Sequence, residues 1–298
     1  MKTRQRLAKY GAWLVAVLLV VAIVRRFDVR VIAQHMKEGN WAAMLPFALG
    51  LTVGYLLIGA FWDVLVFQRV LGGPRYVDQL RGRCGASLLM LLGYAAGHGA
   101  MGLWLARKTG ASAAVVSGAV LYTMLSDLGG LGLVATLAIQ IGHPAGIAPE
   151  VVHVAMAIAA VPIAIGLLAM PVLRGTTSRF LTAWRDLPPW MGILQLAAHT
   201  LNLALVSFVT WNAARAFGLT IPLAVFATYM PIIILATSLP FNIGGIGAAQ
   251  AAWLVFLPWA SGEHLLAFQL VWQFLYGGAI LLRGLPFVRG VLRDIRRD

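Results

Sequence analysis

The sequence predicts an all-α, polytopic helical membrane protein of about six to eight spans, with one or two re-entrant hairpins and a possible inverted repeat. Three observations predict it. With 60% hydrophobic and 11% charged residues over 298 positions and a mean hydropathy of +0.85, the chain is too apolar for a soluble domain and too long for one anchor. Most of its 23 Lys and Arg fall in short loops and tails between apolar runs, the positive-inside pattern. Finally, Leu239-Pro240-Phe241-Asn242-Ile243-Gly244-Gly245-Ile246-Gly247-Ala248-Ala249-Gln250 sets a proline and three glycines inside an apolar region. Such backbone is expected to be unwound, which a membrane permits only inside protein or beside a watery cavity; the plain alternative is a tight turn between two helices.

Residues 10–24 form the first apolar segment, behind Lys2, Arg4, Arg6 and Lys9. This start mimics a secretory signal, but Arg25-Arg26 follow and no small-x-small cleavage pair precedes them, so an uncleaved anchor is expected. Residues 1–40 are thus an anchor helix and amphipathic connector, 41–287 a transmembrane domain, and 288–298 a basic cytoplasmic tail. The run 41–71, interrupted by Asp63, exceeds one bilayer thickness and must tilt or emerge. Arg69, Arg75, Arg81 and Arg83 surround Gly72-Gly73-Pro74 and mark a cytoplasmic loop.

Residues 86–106 are apolar but perforated by Gly93, Gly97, Gly99 and Gly102, with His98 among them and Arg107-Lys108 at the end. The span 113–141 carries Ser126-Asp127 ahead of Gly129-Gly130. Residues 142–150 lack Lys and Arg, as suits an external loop, and 151–173 return to Arg174, Arg179 and Arg185. Then come 190–214 with His199, Asn202 and Asn212, the segment 220–238, the broken stretch, and 248–260. The last span, 263–287, holds Gln269 and Gln273 on one helical face.

If 86–106 is a re-entrant hairpin, eighteen of the 23 Lys and Arg lie inside, in a multi-pass protein of the inner (cytoplasmic) membrane with both termini cytoplasmic; a full crossing inverts everything downstream. Arg25, Arg26, Arg30 and Lys37 fit neither scheme. Gly97-x-Gly99-x-x-Gly102-x-Trp104 also echoes Gly245-x-Gly247 and Trp253, as two gapped hairpins of an inverted repeat would. The segment 220–260 is then either a second hairpin or two crossings. The glycines of 97–102 serve equally as helix-packing residues, and without a βαβ context they are no nucleotide fingerprint.

Asp127 is the strongest single candidate, because an intramembrane carboxylate costs on the order of 2.5–3.5 kcal/mol at the bilayer centre on insertion scales. It either holds a cationic headgroup or a proton, or caps structure with Ser126. His98 beside Gly99 can donate to a phosphate or titrate near neutral pH. Pro240, Asn242, Gly244, Gly245, Gly247 and Gln250 form the other part of the substrate site, Asn242 and the glycine N–H groups offering neutral donors to phosphate oxygens. Hydrolysis needs a nucleophile with its base, or two carboxylates, in a solvated site; neither pattern is present, so no catalytic residue is assigned and no enzymatic role is expected. Cys84 is the single cysteine, and no His/Cys cluster suggests a metal or other cofactor. The net charge of +13 serves topology and anionic lipid here, not nucleic acid.

Together these residues resemble the flippase-like transmembrane domain of the lysylphosphatidylglycerol synthase family over residues 41–287. Leu239 to Gly247 is similar to that family's Pro-x-x-x-Gly-Gly-x-Gly signature, and Gly93 to Lys108 with Leu125-Ser126-Asp127 to its glycine-containing hairpin and later intramembrane aspartate. Ala100 and Gln250 stand where the family tends to place an acid, and Met124 where it often has an arginine. The resemblance implies an integral membrane translocase for a phospholipid or other polar-headgroup lipid, without the aminoacyl-transferase domain. The alternative from another class is a non-transporting membrane subunit that docks a lipid-modifying or glycosyl-transferring enzyme. The oligomeric state is open.

Overall fold

The computed structural model describes residues 17–91, 94–143, 150–154, 156–158, 160, 175–238, 242–243 and 246–296. Residues 17–26 are helical. The helix α1 (Val29–Glu38) starts where Asp28 accepts from the Arg30 N–H, and α2 (Trp41–Leu71) where Asn40 accepts from the Ala43 N–H, each cap satisfying one orphan donor. Gly72 ends α2 with a left-handed φ of 61°. Then follow α3 (Tyr76–Met90), α4 (Tyr94–Thr109) and α5 (Ala113–Gly142), and after a 3-10 turn (Arg179–Leu181), α6 (Thr182–Asp186). Pro189 opens α7 (Pro189–Ala216), a position where a missing N–H costs nothing. The chain continues through α8 (Leu223–Ser238), a two-residue antiparallel ladder of β1 (Asn242–Ile243) with β2 (Ile246–Gly247), α9 (Ala248–Trp253) and α10 (Gly262–Arg296).

Among the described residues, α2, α5, α7 and α10 are the helices long and apolar enough to cross a membrane. At 28 to 35 residues each, they run about 42–52 Å, more than the ~30 Å hydrocarbon core. In contrast, α3 and α4, with 15 and 16 residues, reach only about 24 Å. They form an antiparallel hairpin: Gly82 faces Trp104, Gly97 faces Met90, and Lys108 Nζ lies 3.8 Å from Asp78. At its tip Leu91 lies beside Gly277, near the middle of α10, while partway along the first arm Gly85 meets Val291 and, nearer the base, Trp104 Nε1 donates to Asp294 at 3.4 Å. The arms therefore begin and end beside one end of α10. A second hairpin joins α8 to the segment after the ladder, Phe226 stacking on Phe256 at 5.3 Å between ring centroids.

Long helix, hairpin and long helix thus occur twice in the chain. The elements start at Trp41, Tyr76 and Ala113 in the first half and at Pro189, Leu223 and Gly262 in the second. The packing is reciprocal: α3 lies on α10 as α8 lies on α5, and α2 on α10 as α7 on α5. The equivalent helices α2 and α7 pair with each other and run antiparallel, Gly54 beside Leu205 and Trp62 beside Gln195. Each half has its own aromatic core, Phe67, Trp104, Tyr122 and Trp184 in one, and Phe226, Trp253, Phe256 and Phe268 in the other.

Several expectations are corrected. The expected hairpin 86–106 is longer, its arms running from Tyr76 to Met90 and from Tyr94 to Thr109, with Gly97, Gly99 and Gly102 inside the second arm. Gly97 takes the packing role, because a side chain there would strike Met90. Arg83 is no loop residue but a member of α3 whose side chain is only 12% exposed. The second arm after the ladder stays helical only to Trp253, before a 3-10 turn, Leu254–Phe256, so it is shorter than the apolar run 248–260. Of the expected span 151–173, residues 151–154, 156–158 and 160 are described and helical; the rest lies outside the described residues.

A side chain at Gly82 would sit 2.6 Å from the Trp104 ring, whereas Gly278 has open space around it. Overpacking typically costs about 1–3 kcal/mol, so Gly82→Leu is expected to lower the thermal unfolding midpoint in detergent by several degrees, with Gly278→Leu within a degree of wild type.

Candidate functional site: a buried ionic cluster between the halves

Four helices bring charge together in the interior. Asp63 of α2 pairs with Arg83 of α3, each side chain 12% exposed. His199 of α7, 3% exposed, places Nδ1 2.5 Å from Asp127 Oδ1 of α5. Its Nε2 lies 3.0 Å from Gln195 Oε1 and 3.6 Å from Asp63 Oδ1. The Gln195 amide is oriented by donation from its Nε2 to the Trp62 carbonyl, which turns its oxygen toward the imidazole. Both ring nitrogens of His199 thus face acceptors, the arrangement of a doubly protonated ring. Two carboxylates, a guanidinium and an imidazolium then balance in charge, as burial requires.

Local sequence explains each placement. Gly59 lies one turn before Asp63 on α2 and leaves room for the Arg83 guanidinium, whose Nη2 is only 2.8 Å from where a side-chain carbon would be. Tyr55, a further turn back, offers its ring to the same guanidinium, 5.2 Å from Cζ to centroid. Thr52, Tyr55, Gly59 and Asp63 follow helical spacing and form one stripe of α2, about 16 Å long. Gln195, His199 and Asn202, all buried, make the matching stripe of α7. Gly130 lets α5 approach α7 closely, since a side chain there would meet the Thr200 nitrogen at 2.9 Å.

The candidate residues from sequence divide accordingly. Asp127 sits in the cluster, and His98 on α4 lies within electrostatic reach of Asp127, Arg83 and Asp63. Ser126 instead donates to the Tyr122 carbonyl of its own helix at 3.1 Å, and Gly99 is exposed on α4 with open space beside it. Gln250 accepts from the Gly247 N–H at 2.5 Å, half of a capping box at the start of α9. It also donates to Gln269 at 2.7 Å, which donates to Gln273 at 2.8 Å. The Gly247 N–H is therefore engaged within the protein, and φ of 132° there demands glycine. Asn242 pairs with Gly247 in the ladder, while Pro240, Gly244 and Gly245 lie outside the described residues.

Arg83, Tyr55 and Gln195 were missed as site residues. Arg83 resembles its loop neighbours in sequence, but the i, i+4 pair Gln195 and His199 and the polar spacing on α2 were visible signals. Among the described residues, no group of three His, Cys, Asp or Glu side chains is placed to hold a metal.

Removing one partner of a buried ion pair typically costs about 3–5 kcal/mol, whereas replacing both with apolar residues is often neutral. Arg83→Met is accordingly expected to destabilise the protein by an amount in that range, measured by denaturant or thermal unfolding in detergent, and Asp63→Leu combined with Arg83→Met to recover most of the loss.

No protein-family model matches the chain, and no curated protein matches it.

Proposed function

We propose that this chain is an integral membrane lipid translocase, in which a polar headgroup crosses along the interior stripe of α2 while its acyl tails remain in lipid. The observation that carries the reading is the ionic cluster at the contact between the two halves, three of its four residues lying on α2, α5 and α7, helices long enough to span a bilayer. Charged side chains within membrane helices are costly and mark substrate or ion routes. The antiparallel pairing of equivalent helices supports an inverted repeat, the architecture in which alternating access follows from rocking one half against the other. The hairpin tip beside the middle of α10 supports a re-entrant α3–α4, with the α8–α9 hairpin its counterpart. In this reading the protein lies in the inner (cytoplasmic) membrane, with the hairpin base, the basic C-terminal end and the N-terminus on the cytoplasmic side.

Asp127 and His199 bridge α5 of one half to α7 of the other. Their contact loosens as the halves move, and a passing headgroup with cationic or hydroxyl donors takes over the carboxylate. The family resemblance of residues 41–287 agrees with this use. In liposomes carrying fluorescent phospholipids, wild type is expected to equilibrate headgroups between leaflets, and Asp127→Asn to slow this at least tenfold while still eluting as a folded species. Equal rates for wild type and for Asp127→Asn combined with Gly245→Leu contradict the proposal.

A further inference from the structure

We infer that Arg283 and Thr52 form a binding site for a phosphate-type oxyanion. Arg283 of α10 spends one donor, Nη1, on the Thr52 carbonyl at 2.7 Å. Its Nε is buried without a hydrogen-bond partner, and so is the Thr52 hydroxyl oxygen. Among the described residues Arg283 has no carboxylate within ion-pair distance, whereas Arg83 has Asp63.

Thr52 is unusual in this chain. Threonines buried in helices satisfy their hydroxyl by donating to the carbonyl three or four residues earlier, and Thr123, Thr136, Thr200, Thr210 and Thr228 all do so. The Thr52 hydroxyl does not, although the Ala48 carbonyl lies one turn back on the same helix. A charged donor and a hydroxyl donor are thus left open at one place, and each unsatisfied buried group costs about 1–3 kcal/mol, more when charged. An oxygen anion satisfies both and supplies the missing negative charge. A phosphate suits the site better than a carboxylate, since it has three or more acceptor oxygens to a carboxylate's two and can accept from the Nε–H and the hydroxyl together. Choosing a lipid phosphate as its source rests on the translocase reading; the oxyanion site itself does not.

The site is tested by calorimetric titration of the purified full chain in a neutral detergent with dihexanoyl phosphatidylglycerol, with inorganic phosphate, and with dihexanoyl glycerol, which lacks phosphate. Saturable binding of the phosphatidylglycerol is expected, weakened at least tenfold by Arg283→Gln and at least threefold by Thr52→Val. Arg289→Gln, exposed on the same helix, is expected to bind within threefold of wild type, and Arg283→Lys, which keeps the charge but has no Nε–H, to weaken binding at least threefold. Inorganic phosphate binding as tightly identifies a free oxyanion as the ligand and supports the site; its failure beside bound phosphatidylglycerol identifies the lipid. Should Arg283→Gln not fold, Thr52→Val carries the comparison. Equal binding by wild type, Arg283→Gln and Thr52→Val, binding of dihexanoyl glycerol as tight as of the phosphatidylglycerol, or no binding of either phosphate probe overturns the inference. No transport is needed for this readout, so its failure leaves the translocase test standing.

Discussion

Asp63, Arg83, Asp127 and His199 come from α2, α3, α5 and α7, and none of them can be buried alone without a penalty of several kcal/mol. Each is tolerated because another helix delivers its partner: Arg83 for Asp63, His199 for Asp127. The rest of the interior follows from that requirement. Gly59 must stay small so that the guanidinium fits beside α2, Gly130 must stay small so that α5 reaches α7, and Gln195 must hold the imidazole between two carboxylates. A hydrocarbon solvent gives these groups no other way to be satisfied.

The repeat gives the cluster its position. Two halves with the same order of elements pack reciprocally, and their long first helices cross antiparallel. Polar residues gather where the halves touch, while aromatic side chains fill the centre of each half. The halves are not chemically equal. The first supplies three of the four charges, and the second contributes the imidazole and a chain of glutamines from Gln250 to Gln273. The charged groups thus lie mostly in the first half, and the neutral amide chain lies within the second, its Gln250 and Gln269 buried.

The helical class and the apolar runs were legible because hydropathy and loop charge report directly on burial in lipid. Asp127 was legible for the same reason, being a carboxylate in the middle of an apolar run. Arg83 was not, because three other arginines flank it in sequence and nothing local distinguishes a cation that turns inward from those that face water. Its identity depends on Asp63 and Gly59, twenty or more residues away, and such contacts exist only after folding. The glycines of 97–102 were open to two uses, and Gly97 serves close packing within α4, a use of glycine that sequence cannot separate from a turn. His199 stood in the sequence as one polar residue of an apolar span, and nothing local shows that Asp127 and Asp63 meet it from other helices.

The claim that a lipid headgroup passes along the interior stripe of α2 is tested most directly by mapping where a headgroup touches the protein. A phospholipid carrying a photoreactive diazirine on its headgroup is reconstituted with the full chain, activated by light, and the modified residues are located by mass spectrometry. Modification at Thr52, Tyr55 or Gly59 and on the facing surface of α10 near Arg283 is the predicted result. Modification confined to outward residues such as Ile193, Leu201 and Leu282, all more than half exposed, contradicts the account.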